Sequence, residues 1–516
     1  MPSYSGPMPR RHPFAVAFTA MVAAAVMVAG CSSGTDRSDA RRLNSPVRPT
    51  TEPSSSAPAA VDDGLPPGWT PKPLHWTDCP DVGAGTQCAT LSVPLAWSDP
   101  EGRTITLALA RRPASGGSDR RIGSLLMNPG GPGGSGVDFV ASGVFTGEVA
   151  ERFDQVGWDP RGVARSEGLT CGEDATEQFL RLDPDPDSPQ EQDDLDRAAA
   201  AVATQCATDA ALLSNMGTGE VARDLEAIRL ALDDGPLNYV GFSYGTQIGQ
   251  EYAKRFPSSI RAIVLDGVVD PATGFTDFLM GQIDGFEAAF ERNRQGCSAN
   301  RVRCRVDDLA AAYDQMHARL EQQPLAVDGR DVGPAELATA AIYTDYGSDG
   351  WKRLGPALAD ALDGDGARLL ALADGYHDLG GYASYAGVVC TDTPPPSSPA
   401  QWRTFADQAR ARSPRFGGSV ANELLPCATW PVGPTAEPAA VTAPDAPPML
   451  VVGNTGDPFT PLADARAVAA ALQSGVLVTV DISGHTAYGR DRCATDVIDR
   501  YLIALAVPVD DTRCPG

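Results

Sequence analysis

Apolar and polar positions change rhythm several times along this chain. A run without charge, FAVAFTAMVAAAVMVA from Phe14 to Ala29, is followed from Cys31 to about Pro67 by Ser, Pro, Thr and Ala with almost no large apolar residue. The second stretch cannot bury enough surface to fold and reads as a flexible tether. From Leu91 the segments LSVPLAW and TITLALARR alternate, which predicts an antiparallel hairpin leading into the fold. Short apolar runs bounded by Gly and Pro come next: IGSLLMNPGGPGGSG (Ile122 to Gly136), FDQVGWDPRGVARS (Phe153 to Ser166), LNYVGFSYG and IRAIVLDGVVDP (Ile260 to Pro271). Each predicts a buried strand that runs into a turn. Between them, EVARDLEAIRLAL, Glu220 to Leu232, has helical spacing, and a helix follows GFSYG and stops at Pro257.

From about Ala272 to Pro444 the spacing turns mostly helical, as in DDLAAAYDQMHARLEQQ and AQWRTFADQARAR, with Pro-rich and Gly-rich breaks. Strand patterns return in PMLVVGNTGDPFTP (Pro448 to Pro461) and GVLVTVDISGHTAYG (Gly475 to Gly489). Strands alternating with helices, interrupted by a helical block, predict an α/β fold with a mostly parallel sheet and an inserted, mainly helical lid. The expected division is a signal with its cysteine (1–31), a tether (32–67), the first part of the core (68–271), the lid (272–444) and the C-terminal part of the core (445–516). No internal repeat is apparent.

At 516 residues and 42% hydrophobic composition, the chain has ample material for a large core. A formal net charge of -25 argues against nucleic-acid binding, because a phosphate backbone would be repelled over most of the surface. Arg10 and Arg11 before the apolar run mark an export signal, and the run is short of the roughly twenty residues of a membrane span. Its end, VAGC from Val28 to Cys31, resembles a bacterial lipobox, so Cys31 is the expected lipidation site and the outer face of the cell membrane the expected location. An ordinary cleaved signal is the alternative; a twin-arginine route fits poorly. Eleven cysteines are present, so ten remain beside Cys31, an even number in an exported protein. Pairing sequence neighbours gives Cys79 with Cys88, Cys171 with Cys206, Cys297 with Cys304, Cys390 with Cys427, and Cys493 with Cys514. No CxxC pair or Cys/His cluster has zinc spacing, so no metal site is expected.

The pattern GxSxG occurs twice, in GCSSG around Ser32 and in GFSYG around Ser243. Only Ser243 sits between a strand and a helix, the setting of a nucleophile elbow. A serine needs a general base, and the chain has five histidines. His12 lies in the signal, His75 precedes the sheet, and His317 and His377 fall in the helical block. His485, in SGHTAYG after a strand, is left as the base. The imidazole in turn needs a carboxylate to hold its tautomer, and Asp457 in GNTGDPFTP ends the preceding strand. Asp266 is the runner-up; Asp481 is inside a strand and too near His485. The order Ser243, Asp457, His485 is that of α/β-hydrolases. Oxyanion donors are expected from the Tyr244 amide and from the loop NPGGPGGSG, at Gly131. That loop is not read as a phosphate site, since neither GK[ST] nor a helix-opening GxGxxG is present.

Together NPGGPGGSG, GWDPRGVARS, VGFSYGT, LDGVVDP, GNTGDPFTP and SGHTAYG resemble the secreted tripeptidyl aminopeptidases among the prolyl-aminopeptidase-like α/β-hydrolases, including mycobacterial-type cell-envelope lipoprotein hydrolases. The resemblance spans about Trp76 to Cys514. It implies cofactor-free hydrolysis of peptides near a free N-terminus, beneath a helical lid. Prolyl-aminopeptidase relatives carry HGGPG and DxRGxGxS; here Asn128 replaces the histidine, as in the tripeptidyl branch, and Ala164 replaces a glycine, while Arg161 and Ser166 remain. An exopeptidase must also hold the substrate ammonium with a carboxylate. Asp392 in GVVCTDTP resembles a family segment and is the candidate; a plain acid beside a disulfide is the alternative. Two other readings use the same residues differently: a carboxylesterase or lipase with this triad, and a non-catalytic envelope binding protein.

Overall fold

The computed structural model describes residues 64–516; the signal segment, His12, Cys31, Ser32 and the tether up to residue 63 lie outside these residues. Ten strands form one sheet in the order β1-β2-β3-β5-β4-β6-β7-β10-β11-β12. They are β1 (Thr77–Asp78), β2 (Gln87–Pro94), β3 (Thr104–Arg112), β4 (Gly123–Asn128), β5 (Phe153–Trp158), β6 (Leu237–Phe242), β7 (Ile260–Asp266), β10 (Met449–Gly456), β11 (Gly475–Ser483) and β12 (Thr512–Cys514). A two-stranded ribbon, β8 (Leu325–Val327) with β9 (Arg330–Val332), stands apart. The alternating segments at the start form the antiparallel pair β2 and β3, and β3 pairs antiparallel with β5. Every pairing from β5 through β4, β6, β7, β10 and β11 to β12 is parallel.

The continuous apolar runs have a direct explanation, because a sheet covered on both faces needs apolar residues at both parities. Leu126, Tyr239, Ile263 and Val451 point into one core. Their sequence neighbours Leu125, Val240, Val264 and Leu450 point into the other. The helix Thr218–Leu232 and the helix Tyr244–Arg255 pack on the first side, and the helix Arg492–Ala504 packs on the second.

The lid rises between β7 and β10. It contains the helices Phe275–Ala299, Leu309–Gln322, Pro334–Thr344, Trp351–Leu362, Ala367–His377, Tyr382–Asp392 and Pro399–Arg412. A second helical excursion, between β5 and β6, leans against it. That excursion holds the helices Glu173–Arg181 and Pro189–Cys206, the latter started by a capping box of Ser188 and Glu191. The Asn422 amide donates to the Pro184 carbonyl at 2.9 Å, and Arg410 meets Asp185 at 2.5 Å. The cavity roof therefore draws on two separate stretches of chain. All five neighbour-paired disulfides are present, and Cys171–Cys206 closes the base of the second excursion.

Candidate active site

The site lies at the C-terminal ends of the parallel strands, where the loops after β4, β6, β7, β10 and β11 converge. This is where ligands bind in open parallel sheets. Ser243 separates β6 from the helix Tyr244–Arg255 and has φ 54° and ψ -125°. A β-carbon residue in that region carries strain of order 1–3 kcal/mol, which the surrounding turn must hold in place. The glycine at one end of GFSYG shows how tight the turn is: a Cβ on Gly241 would come within 2.2 Å of the Gly245 carbonyl oxygen. The Ser243 amide donates to the Asp266 carbonyl at 2.9 Å, while its hydroxyl has no hydrogen-bond partner among the described residues and faces a cavity.

His485 reaches the same corner from the loop after β11. The residue after Asp266 is Gly267, where a Cβ would stand 3.0 Å from His485 Cε1. His485 is buried, and its Nδ1 lies 2.9 and 3.0 Å from the two carboxylate oxygens of Asp457. Asp457 also accepts from the Phe459 and Thr460 amides and from the Thr460 hydroxyl. These donors fix the carboxylate without a cation, and the bond to Nδ1 leaves Nε2 as the free ring nitrogen. The rings of Phe459 and Tyr346 flank the imidazole with centroids at 5.1 and 5.7 Å. Tyr346 belongs to the lid, and its carbonyl accepts the His485 amide at 3.2 Å. Asp266, the rival acid, does not bond to the imidazole. It is fully buried, accepts the Ala487 and Tyr488 amides, and anchors the loop that carries His485. Burial raises its pKa to about 6. Asp481 lies in β11 and accepts from Thr455.

Gly131 and Tyr244 both line the cavity beside Ser243. Tyr244 opens its helix, so its amide has no acceptor within that helix. The loop of Gly131 is pressed onto the elbow: Gly130 has φ 89°, and a Cβ there would lie 2.4 Å from the Phe242 carbonyl oxygen. The residue directly before GGPG is Pro129, so Pro129 and not Asn128 stands in the place of the histidine of HGGPG, while Asn128 accepts the Gly130 amide at 2.9 Å. The segment GWDPRGVARS braces this loop. Asp159 accepts from the Ser135 hydroxyl and the Val137 amide, and Arg161 is wholly buried in a two-point ion pair with Asp224.

Asp392 also lines the cavity, yet both its oxygens are engaged, at 2.7 Å by the Thr218 amide and at 2.5 Å by the Thr218 hydroxyl. The same hydroxyl lies 2.7 Å from Tyr244 Oη, so Asp392 is tied to the residue beside the nucleophile position. Burial raises the Asp392 pKa to about 6. Sequence reasoning missed a second lid carboxylate in the cavity, Glu423, which burial raises to about 7. Its setting, NELLPC, carries no motif. Thr460 was also missed, although it stands in the quoted DPFTP. Cys31 lies outside the described residues.

Comparison with known proteins adds to this geometry. Residues 123–348 match the family model described as alpha/beta hydrolase fold, and residues 413–514 match the TAP-like protein model. The serine protease Hip1 of Mycobacterium tuberculosis is 34% identical over 480 residues, covering 86% of this chain and 91% of that protein. Carboxylesterase B of the same organism is 34% identical over 470 residues, covering 85% and 89%. The tripeptidyl aminopeptidase of Streptomyces lividans is 32% identical over 472 residues, covering 86% of each.

Proposed function

The chain belongs to the α/β-hydrolase family with a TAP-like C-terminal region, and from that premise we propose that it is an exported serine aminopeptidase releasing short peptides from free N-termini. Ser243 is the nucleophile, His485 the general base and Asp457 the carboxylate that holds the imidazole. His485 Nε2 takes the hydroxyl proton as Ser243 Oγ bonds to the substrate carbonyl carbon. The amides of Tyr244 and Gly131 hold the oxyanion. The C–N bond then breaks, the amine leaves with the proton from His485, and water repeats the sequence on the acyl-enzyme to free Ser243. The hydrogen bonds that Asp457 accepts support its part, because they hold its carboxylate aimed at Nδ1 throughout.

The observation that carries the peptidase reading is the polarity of the cavity. Asp270, Asp392 and Glu423 line it together with apolar and aromatic walls, and no Lys or Arg is among the described lining residues. Such a chamber attracts a cationic, otherwise apolar ligand and repels an anionic one. A second reading, carboxylesterase, is favoured by the relative of that name, which is as similar as the protease. Export is supported by the pairing of all ten cysteines of the described residues, a pattern of oxidising compartments. Lipidation of Cys31 and attachment to the outer face of the membrane complete the proposal, on the strength of the lipobox pattern.

The test compares a tripeptide anilide with its N-acetyl form and with a short-chain p-nitrophenyl ester. An aminopeptidase loses the acetylated substrate. Equal turnover of both peptides, with faster ester cleavage, would establish the esterase instead. Ser243→Ala is expected to lower kcat/KM by at least about 10³-fold and to abolish fluorophosphonate labelling. Labelling that persists in this variant would remove Ser243 from its role.

A further inference from the structure

We infer that Glu423, and not Asp392, receives the substrate's N-terminal ammonium, in a tyrosine-walled chamber of the lid. This rests on the aminopeptidase reading above and names the residue that makes the enzyme an exopeptidase.

Three carboxylates line the cavity, and their hydrogen bonds separate them. Asp392 has both oxygens occupied by Thr218. Asp270 gives one oxygen to the Ala272 amide in the turn after β7. Glu423 accepts one hydrogen bond on one oxygen, from Tyr376 Oη at 3.0 Å, and its other oxygen has no partner among the described residues. It follows the helix Gly417–Asn422, is only partly covered, and lines the cavity. A carboxylate held this way still has acceptor capacity for the donors of an ammonium group.

The surroundings match such a ligand. Tyr376 comes from the helix Ala367–His377, Tyr382 and Tyr385 from the helix Tyr382–Asp392, and Tyr346 from the loop after the helix Pro334–Thr344. All four line the cavity, and Tyr382 also donates to the Glu423 carbonyl at 2.6 Å. Burial first, and then the Glu423 charge, push all four hydroxyls upward, so they stay neutral donors and aromatic faces. No Lys or Arg stands among the described lining residues to compete for the carboxylate, and burial lowers the pKa of the one lining imidazole, His377, so that it is neutral near pH 7. Ammonium groups bind well where a carboxylate and aromatic faces converge. Ile342, Val388 and Val389 line the same cavity, so the substrate class is a short peptide with a free amine and apolar leading side chains.

The charge state of Glu423 adds a pH signature. Burial holds its pKa at about 7, so it loses its charge, and the ammonium its partner, as pH falls below that value. The amine itself loses its proton above about pH 8. KM for a free tripeptide is therefore expected to be lowest between these limits and to rise on both sides.

The experiment measures kcat and KM for an alanyl tripeptide p-nitroanilide, free and N-acetylated, in wild type, Glu423→Gln and Glu423→Asp. Fluorophosphonate labelling of Ser243 reports folding and an intact nucleophile. Loss of one charged hydrogen bond predicts a KM roughly 10- to 100-fold higher in Glu423→Gln, with a smaller change in kcat. The acidic limb of the KM profile disappears in that variant and returns in Glu423→Asp. An unchanged KM in labelled Glu423→Gln, while wild type still rejects the acetylated peptide, overturns the assignment and leaves the aminopeptidase reading standing. Wild type that cleaves both peptides equally removes that reading and this inference with it. If Glu423→Gln fails to label, the wild-type profile decides: a KM independent of pH between 5 and 7 overturns the assignment.

Discussion

At the scale of single residues, the chemistry follows from where a backbone is strained and where a carboxylate points. Ser243 is strained because the elbow presents it to the cavity. Ala164 has φ 40°, at the position where the related motif DxRGxGxS has glycine. A left-handed alanine pays a steric penalty that glycine escapes, against the greater entropy glycine loses on folding. Ala164→Gly is expected to stabilise the protein by about 0.5–1 kcal/mol, read as a higher denaturation midpoint with unchanged slope. A lower midpoint would mean that packing of the methyl group outweighs the strain. Ser243, Asp457 and His485 stand in motifs whose turn chemistry is local, and each was legible. Glu423 was not, because nothing within several residues of it shows that its side chain faces a cavity.

At the scale of elements, the loops of the site are held by a buried ion pair behind them. Arg161 bonds Asp224 on the helix Thr218–Leu232 at 2.6 and 2.7 Å, and it donates to the carbonyls of Pro94, Leu95 and Asn215. Trp97 Nε1 donates to the same Asp224 at 3.0 Å. One guanidinium thus joins the end of β2, the loop after β5 and a helix that packs beside the helix Tyr244–Arg255. Asp224→Ala removes the two-point partner of that buried guanidinium and leaves only Glu220, at 3.7 Å, as counter-charge, and a loss of about 3 kcal/mol is expected. Denaturant unfolding followed by tryptophan fluorescence checks it, and a loss under about 1 kcal/mol would show that Glu220 and the carbonyls satisfy Arg161 without Asp224. The motif segment GWDPRGVARS was visible in the sequence, but its function as a brace was not. Its partner Asp224 lies far along the chain, in a helix whose pattern shows only amphipathic spacing.

At the scale of the whole molecule, several carboxylates are buried in a protein of net charge -25. Burial raises Asp266 and Asp392 to about 6 and Asp345 to about 7, against about 4 in an unfolded chain. Between pH 4 and 7 the folded state therefore binds more protons than the unfolded state. Stability from these groups is fully present below pH 4 and is lost as pH rises through 6 to 7. Carboxylates held low, such as Asp209 beside Arg103, lose their support only in strong acid. Tm is therefore expected to be higher at pH 5.5 than at pH 8, and calorimetry at the two values checks the sign; a higher Tm at pH 8 would contradict it. Periodicity and turn chemistry made the parallel strands, the elbow, the glycine loop and the candidates Ser243 and His485 legible, and pairing cysteine neighbours anticipated bonds that the folded chain supplies. These depend on periodicity, turn chemistry and neighbours along the chain. Folding was needed to select Asp457 over Asp266 as the partner of the imidazole, to occupy Asp392 with Thr218 and to bring Glu423 to the cavity wall. It also brought the excursion between β5 and β6 into the roof. Burial, field and enclosure are sums over residues distant in the chain, and no local pattern encodes them.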